Sequence, residues 1–213
     1  TPQIIPVTLT VQPTPEATVV SVYPSAKEVS SGAFIISINI NPKLPIGGAQ
    51  FDLGFNSSLI TATEVKEGNL LNQQGANTYF KAGNIDNRIG TITGVAGVIT
   101  SPGQTVSSSG TLALVTFSTG QAEGTSPLTL SNVIVSDING NPLPIVVKNG
   151  SVKVNPYEDW DVSTDGAVNV LDMIKVGQHW GESGTAGWIR EDVNKDGTVN
   201  VLDMILIGQH WTG

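Results

Sequence analysis

Two short segments carry oxygen-bearing side chains at a spacing suited to a hard cation. In residues 161–172, Asp161, Ser163, Asp165, Asn169 and Asp172 occupy positions 1, 3, 5, 9 and 12 of a loop, with Gly166 at position 6 and Ala167 at position 7. In residues 192–203 the same positions hold Asp192, Asn194, Asp196, Asn200 and Asp203, with Gly197 and Thr198 between them. Ca²⁺ takes about six to eight oxygen ligands, and alternate side chains of a tight loop deliver them. Position 6 needs a sharp turn, hence Gly, while position 7 supplies a backbone carbonyl and tolerates Ala or Thr. Mg²⁺ demands stricter octahedral geometry and suits such a loop less well. The expected cofactor is therefore two Ca²⁺ ions. Asp, Asn and Gly also gather in ordinary turns, but two matching loops argue against that origin.

The loops belong to an internal repeat. Residues 161–180 read DVSTDGAVNVLDMIKVGQHW and residues 192–211 read DVNKDGTVNVLDMILIGQHW, differing at five of 20 aligned positions. This is the ligand spacing of an EF-hand, with Asp rather than Glu at position 12. Val168 and Val199 at position 8 are the apolar residues expected to join the paired loops. A short helix follows each loop, over 170–180 and 201–211. No amphipathic helix precedes either, so each repeat reads as half an EF-hand. His179 and His210 end these helices and could ligate a metal, but helix-end packing or capping is the expected role.

Charge is distributed to match. The 213 residues carry a net charge of −8. Residues 1–154 hold seven Lys and Arg against eight Asp and Glu, whereas residues 155–213 hold three against ten. Concentrated acid suggests cation ligands, and the lack of a basic stripe excludes nucleic acid as a partner. Cysteine is absent, so neither disulfides nor thiolate metal sites enter. No apolar run reaches the about 18 residues that a membrane span requires. The sequence opens on Thr1 rather than Met, the expectation being an upstream segment that has been removed. Two sequons, at Asn56 and Asn149, would permit glycosylation of an exported chain.

Upstream of the repeats the sequence changes character. Residues 1–16, rich in Thr, Pro and Val, read as a lead-in or linker. Nine runs then follow, over 19–23, 33–40, 49–55, 59–65, 78–82, 90–98, 111–118, 128–135 and 145–154, separated by Gly, Pro and Asn turn signals. Phe51, Leu53 and Phe55 alternate with Gln50, Asp52 and Gly54, the period of a half-buried strand. The expected architecture is mainly β: a two-sheet sandwich over 17–154, then a small α-helical, duplicated Ca²⁺-binding loop-helix domain over 157–213. Only Asn155 and Pro156 separate them, which predicts that the two halves touch.

Residues 161–211 closely resemble a dockerin, the module of two loop-helix Ca²⁺ repeats that plugs into a cohesin. The stretch from about 17 to 154 resembles a cohesin through Gly48-Ala49-Gln50-Phe51-Asp52-Leu53-Gly54-Phe55, Ser126-Pro127-Leu128-Thr129-Leu130-Ser131, and Asp137-Ile138-Asn139-Gly140-Asn141-Pro142-Leu143-Pro144 leading to Asn149-Gly150-Ser151-Val152. These resemblances imply a nine-stranded jelly roll and an extracellular or cell-surface scaffold whose partners are cohesin- or dockerin-bearing proteins. Dockerins read their partner through positions 10, 11, 17 and 18. Those positions hold Val170, Leu171, Gly177 and Gln178 in the first repeat and Val201, Leu202, Gly208 and Gln209 in the second. Val-Leu replaces the familiar Ser-Thr pair, implying a more apolar interface, with one residue of each pair expected in the core. The cohesin face is implied to include Gln50 and Asp52, with Gln50 where the family carries Asp.

Other readings compete. A carbohydrate-binding module needs an aromatic platform, yet Trp160, Trp180, Trp188 and Trp211 all lie outside the sandwich. A glycosidase needs two facing carboxylates, and the sandwich offers scattered acids and no His. A surface stalk, whose halves pack together and recognise nothing, is the third. Self-association through a matched cohesin and dockerin on one chain would propagate head to tail and is not favoured.

Overall fold

The computed structural model describes residues 16–213. The lead-in expected over 1–16 lies, but for Glu16, outside them. Twelve strands precede two helices: β1 Thr18–Tyr23, β2 Ala26–Val29, β3 Ala33–Asn41, β4 Gly48–Gly54, β5 Ile60–Glu67, β6 Thr78–Lys81, β7 Asn84–Asp86, β8 Thr91–Ile99, β9 Gly110–Thr119, β10 Gly124–Ser136, β11 Ile145–Lys148 and β12 Gly150–Val154, then α1 Val170–Gln178 and α2 Val201–Gln209. One sheet has the order β11-β1-β3-β9-β5; the other runs β2-β12-β10-β4-β8-β6, with β7 on β8. The protein is mainly β, and the strands form a two-sheet sandwich.

The alternation read from the sequence is the one that packs the core. In β3, Phe34, Ile36, Ile38 and Ile40 are buried; in β4, Phe51 and Leu53 are buried while Gln50 and Asp52 turn outward. Phe117 stacks on Phe34 at 5.6 Å and meets Phe55 edge-on at 5.2 Å, geometries that add about 0.5–1.5 kcal/mol each beyond burial.

Three strands beyond the expected nine have identifiable causes. β2 and β7 are three or four residues long without a buried apolar side, so they gave no periodic signal. The run over 145–154 is two strands: β11 pairs with β1 in one sheet, and β12 pairs with β10 and β2 in the other. The switch occurs at Asn149-Gly150. Asn149 Oδ1 accepts from Leu130 N at 2.9 Å. A Cβ at Gly150 would sit 2.7 Å from Val22 Cγ1, so only glycine lets the chain pass there.

Buried apolar side chains fall into two clusters, one drawn from residues 20–154 and one built from Val162, Val168, Val176, Val193, Val199 and Ile207. The two parts touch, as the short connection predicts. Arg190 Nη2 donates to Asn155 Oδ1 at 2.8 Å, its guanidinium lies 5.8 Å over the Tyr157 ring, and Tyr157 OH donates to Gln121 O at 3.4 Å. A cleft of about 350 Å³ beside these contacts is lined from both parts, by Glu28, Lys153, Trp188 and Arg190 among others. Among the described residues no helix is long and apolar enough to cross a membrane.

Candidate functional site

Both loops adopt one backbone path. Thr164 and Lys195 at position 4 have φ of 61° and 56°, and Gly166 and Gly197 at position 6 have φ of 88° and 89°. The sharp turn expected at position 6 is made in the left-handed region that favours glycine. The first carboxylate folds back over the loop: Asp161 Oδ2 accepts from Gly166 N and Asp192 Oδ2 from Gly197 N, each at 3.0 Å. The last carboxylate ties loop to helix. Asp172 accepts from Ser163 N at 2.8 Å and Asn169 N at 2.7 Å; Asp203 accepts from Asn194 N at 3.0 Å and Asn200 N at 2.8 Å. Asn169 and Asn200 accept from Leu171 N and Leu202 N at 2.8 Å, completing a capping box at each helix start. Asp165 and Asp196 bond the position-7 amides of Ala167 and Thr198.

These carboxylates stand out electrostatically. Asp161, Asp172, Asp192 and Asp203 are at most 5 % exposed, and they are the only buried charged side chains among the described residues. None of them lies within 4.0 Å of a basic group there. Buried carboxylates require hydrogen bonds and a compensating charge or metal; the loop amides meet the first need and leave the second. No three His, Cys, Asp or Glu side chains converge among the described residues, so the Asn, Ser and carbonyl oxygens must share any coordination. Per loop the set is three carboxylates, one Asn, one Ser or Asn, and one carbonyl. Six candidate oxygen donors per loop fit Ca²⁺ in number and hardness.

Val168 and Val199 are buried in one cluster, but their backbones do not bond each other. Val199 N donates to Glu182 O and Gly181 N donates to Val199 O, while Thr212 N donates to Val168 O. Each loop therefore pairs with the chain that leaves the other repeat's helix, where residues 181 and 212 are equivalent. The repeats are fastened by exchange, because a half EF-hand has no second helix to bring the loops side by side. The histidines serve packing: His210 stacks on Trp160 at 3.5 Å, and His179 lies 3.2 Å from Glu182.

The eight partner-face positions are all exposed: Val170, Leu171, Gly177 and Gln178 on α1, and Val201, Leu202, Gly208 and Gln209 on α2. The expectation that one residue of each Val-Leu pair enters the core is overturned; all four are about half exposed. The cores are filled instead by Val176 and Ile207, fully buried on the opposite face. Ile174 and Ile205, also half exposed, were missed, although their i+3 spacing from Leu171 and Leu202 puts them on the same face.

On the sandwich, Gln50 and Asp52 lie on the outward side of β4. Register sets Gln50 beside Ala96 of β8 and Ile134 of β10, and Ala96 beside Lys81 of β6. Tyr79 pairs with Val98 one row away. Asp52 is fixed by two short hydrogen bonds, from Gly94 N and from Asn132 Nδ2, both at 2.6 Å. Asn132 sits at a bulge with φ of 49°. The result is a shallow depression of about 540 Å³, flanked by the exposed side chains of Tyr79, Val98 and Ile134. Those apolar residues escaped the sequence reading because only strand register brings them together.

Residues 159–210 match the dockerin type I domain family. No curated protein matches the chain. The sandwich has the fold of solved cohesins. A non-cellulosomal cohesin of the archaeon Archaeoglobus fulgidus is 19 % identical over 66 % of this chain and 92 % of its own, with a TM-score of 0.51. A cohesin of Clostridium acetobutylicum is 21 % identical over 66 % and 92 %, with a TM-score of 0.53. A chain from a type I cohesin–dockerin complex of Clostridium thermocellum is 17 % identical over 68 % and 99 %, with a TM-score of 0.51. The chain thus carries a sandwich with the fold of cohesins, followed by a segment that matches the dockerin type I family.

Proposed function

We propose that this protein is a non-catalytic, extracellular adaptor built of two modules, residues 17–154 and 157–213. The tail binds two Ca²⁺ ions, one at Asp161, Ser163, Asp165, Ala167, Asn169 and Asp172, the other at Asp192, Asn194, Asp196, Thr198, Asn200 and Asp203. In Ca²⁺ it engages a partner's cohesin through Val170, Leu171, Gly177 and Gln178 or their equivalents Val201, Leu202, Gly208 and Gln209. The sandwich offers Gln50, Asp52 and their neighbours to a partner's dockerin. The observation that carries this reading is the pair of matching apolar faces held outward by two capped loops: Val170, Leu171 and Ile174, and Val201, Leu202 and Ile205. A monomeric protein gains nothing from exposing six large aliphatic side chains in two equivalent sets.

Calorimetric titration of the full chain against a panel of isolated cohesins, in Ca²⁺ and in chelator, tests it. Binding that appears only in Ca²⁺ is expected; no heat from any cohesin in Ca²⁺ would count against the adaptor reading. The stalk reading draws support from the Arg190–Asn155 and Tyr157–Gln121 contacts. It predicts silence against both cohesins and dockerins. None of these four junction residues lines the sandwich depression or belongs to the eight candidate face positions, so a rigid connection and two free faces are compatible.

A further inference from the structure

The sandwich depression carries one uncommitted charge. Lys81 is exposed on β6 and makes no ion pair among the described residues. Asp52, the depression's acid, has each oxygen held by a hydrogen bond at 2.6 Å. It belongs to β4, with β8 lying between it and the strand of Lys81. The backbones of those two strands are about 10 Å apart; the Lys81 ammonium leans toward Gly94 of β8 without coming within 4.0 Å of Asp52. The apolar rim of Tyr79, Val98 and Ile134 would accept any aliphatic helix face, so the lysine decides which face is accepted.

The chain's own helices are poor candidates by this criterion. The exposed face of α1 presents Val170, Leu171, Ile174 and Lys175, and that of α2 presents Val201, Leu202 and Ile205. Their acids, Asp172 and Asp203, are fully buried. Docking through α1 would bring Lys175 toward Lys81. Docking through α2, with half-buried Leu206 at the equivalent position, would cover Lys81 with nothing to pair it. Either outcome costs binding energy.

We propose that the sandwich's partner is a helical module of another chain presenting a carboxylate beside its apolar stripe, and that Lys81 with Lys175 keeps this chain from pairing with itself. This rests on the partner-face reading given above. The occupant is specified by charge: an acid opposite Lys81, with aliphatic side chains over Tyr79, Val98 and Ile134.

Sedimentation of the full chain in Ca²⁺ at rising concentration tests the self-exclusion without an identified partner. Wild type is expected to stay monomeric. Lys175→Glu places an acid on α1, and Lys81→Glu places one on the sandwich; each single reversal should strengthen self-association by about tenfold or more. The double reversal sets acid against acid and should return the chain to monomer. Both lysines are exposed, and unchanged melting of each variant in Ca²⁺ confirms folding. Self-association of wild type, or single reversals indistinguishable from it, would overturn the proposal. Titration with isolated dockerins separates this from failure of the parent reading. If dockerins bind and Lys81→Glu leaves their affinities unchanged, the face stands and the charge inference falls. If no dockerin binds the sandwich, the face itself falls.

Discussion

Removing Ca²⁺ should melt the tail and leave the sandwich folded. The tail's cluster holds only six buried apolar side chains, whereas the sandwich core has 29. A module of about 55 residues with so small a core is marginal without added stabilisation. It also buries Asp161, Asp172, Asp192 and Asp203 without a basic partner within 4.0 Å among the described residues. Ion binding at about 100 times the dissociation constant adds about 2.7 kcal/mol per site, so two sites add about 5.4 kcal/mol. For a domain of this size each kcal/mol moves the melting temperature by about 4–8 °C, so chelation should lower the tail's transition by about 20 °C or more, or abolish it. Differential scanning calorimetry of the full chain should show two transitions in Ca²⁺, and only the sandwich's should be unmoved by chelator. A tail transition that holds its place in chelator would refute the reasoning, because the buried carboxylates would then need no cation.

Further outcomes can be measured independently. Leu171→Asp should leave most cohesin affinity intact, because the α2 face offers the same residues, and adding Leu202→Asp should abolish it; complete loss from the single change would show one fixed orientation. Asn132→Ala removes the 2.6 Å bond to Asp52 and frees a left-handed position, so dockerin binding should weaken about tenfold while the sandwich's melting shifts little. Chelation, or Arg190→Ala, should broaden the distribution of distances between modules in solution scattering, since Gly187 N donates to Asp192 at 2.7 Å and links loop 2 to the turn bearing Arg190; an unchanged distribution would rule out that linkage. The Asn141 side-chain amide, followed by the backbone amides of Asn141 and Asn139, holds the Asp137 carboxyl below its ordinary value. A depressed carboxylate stabilises its turn above the unfolded value and loses that contribution as pH falls through the depressed one. Amide protection at Asn139 and Asn141 should therefore fade only below the usual carboxylate range, and a midpoint within that range would contradict the hydrogen-bond geometry.

What the sequence revealed and what it hid divides along the range of the interactions. The loop backbone was legible because every candidate ligand position lies within twelve consecutive residues and the pattern occurs twice. The strands were legible where burial is one-sided over several residues, as in β3 and β4. The run over 145–154 misled because β-branched residues continue through a change of sheet, although Asn149-Gly150 is itself a strong turn signal. The faces around Tyr79, Val98, Lys81 and Ile134 depend on the pairing of β6, β8, β4 and β10, which no local pattern encodes. The exposure of both Val and Leu in each helix start was hidden for another reason. Apolar residues normally argue for burial, and they mislead where a surface is kept apolar for a partner.

The five differences between the repeats show how a duplicated unit serves one chain. Lys195 stands where the first repeat has Thr164, and its ammonium bonds Asp159 at 2.7 Å, binding the second loop to the segment that follows the sandwich. Thr198 replaces Ala167 at a position whose backbone bridges to Ser183. Asn194 replaces Ser163 and donates to Asp196 at 2.8 Å. Leu206 packs against the core where Lys175 stays in solvent, and Val176 and Ile207 are both fully buried. Just ahead of each repeat the residues also differ: Trp160 stacks on His210, while the equivalent Glu191 lies 3.9 Å from His179. Most of these differences fall where the repeats meet unlike surroundings: the linker, the segment between the helices, the small core. The carboxylates at positions 1, 5 and 12, the capping Asn residues, and the outward Val, Leu, Ile, Gly and Gln are the same in both. Two differences do touch the proposed functional positions, Ser163 against Asn194 at a candidate ligand position and Lys175 against Leu206 beside the exposed face, so the two faces are alike in their apolar residues and unlike in charge.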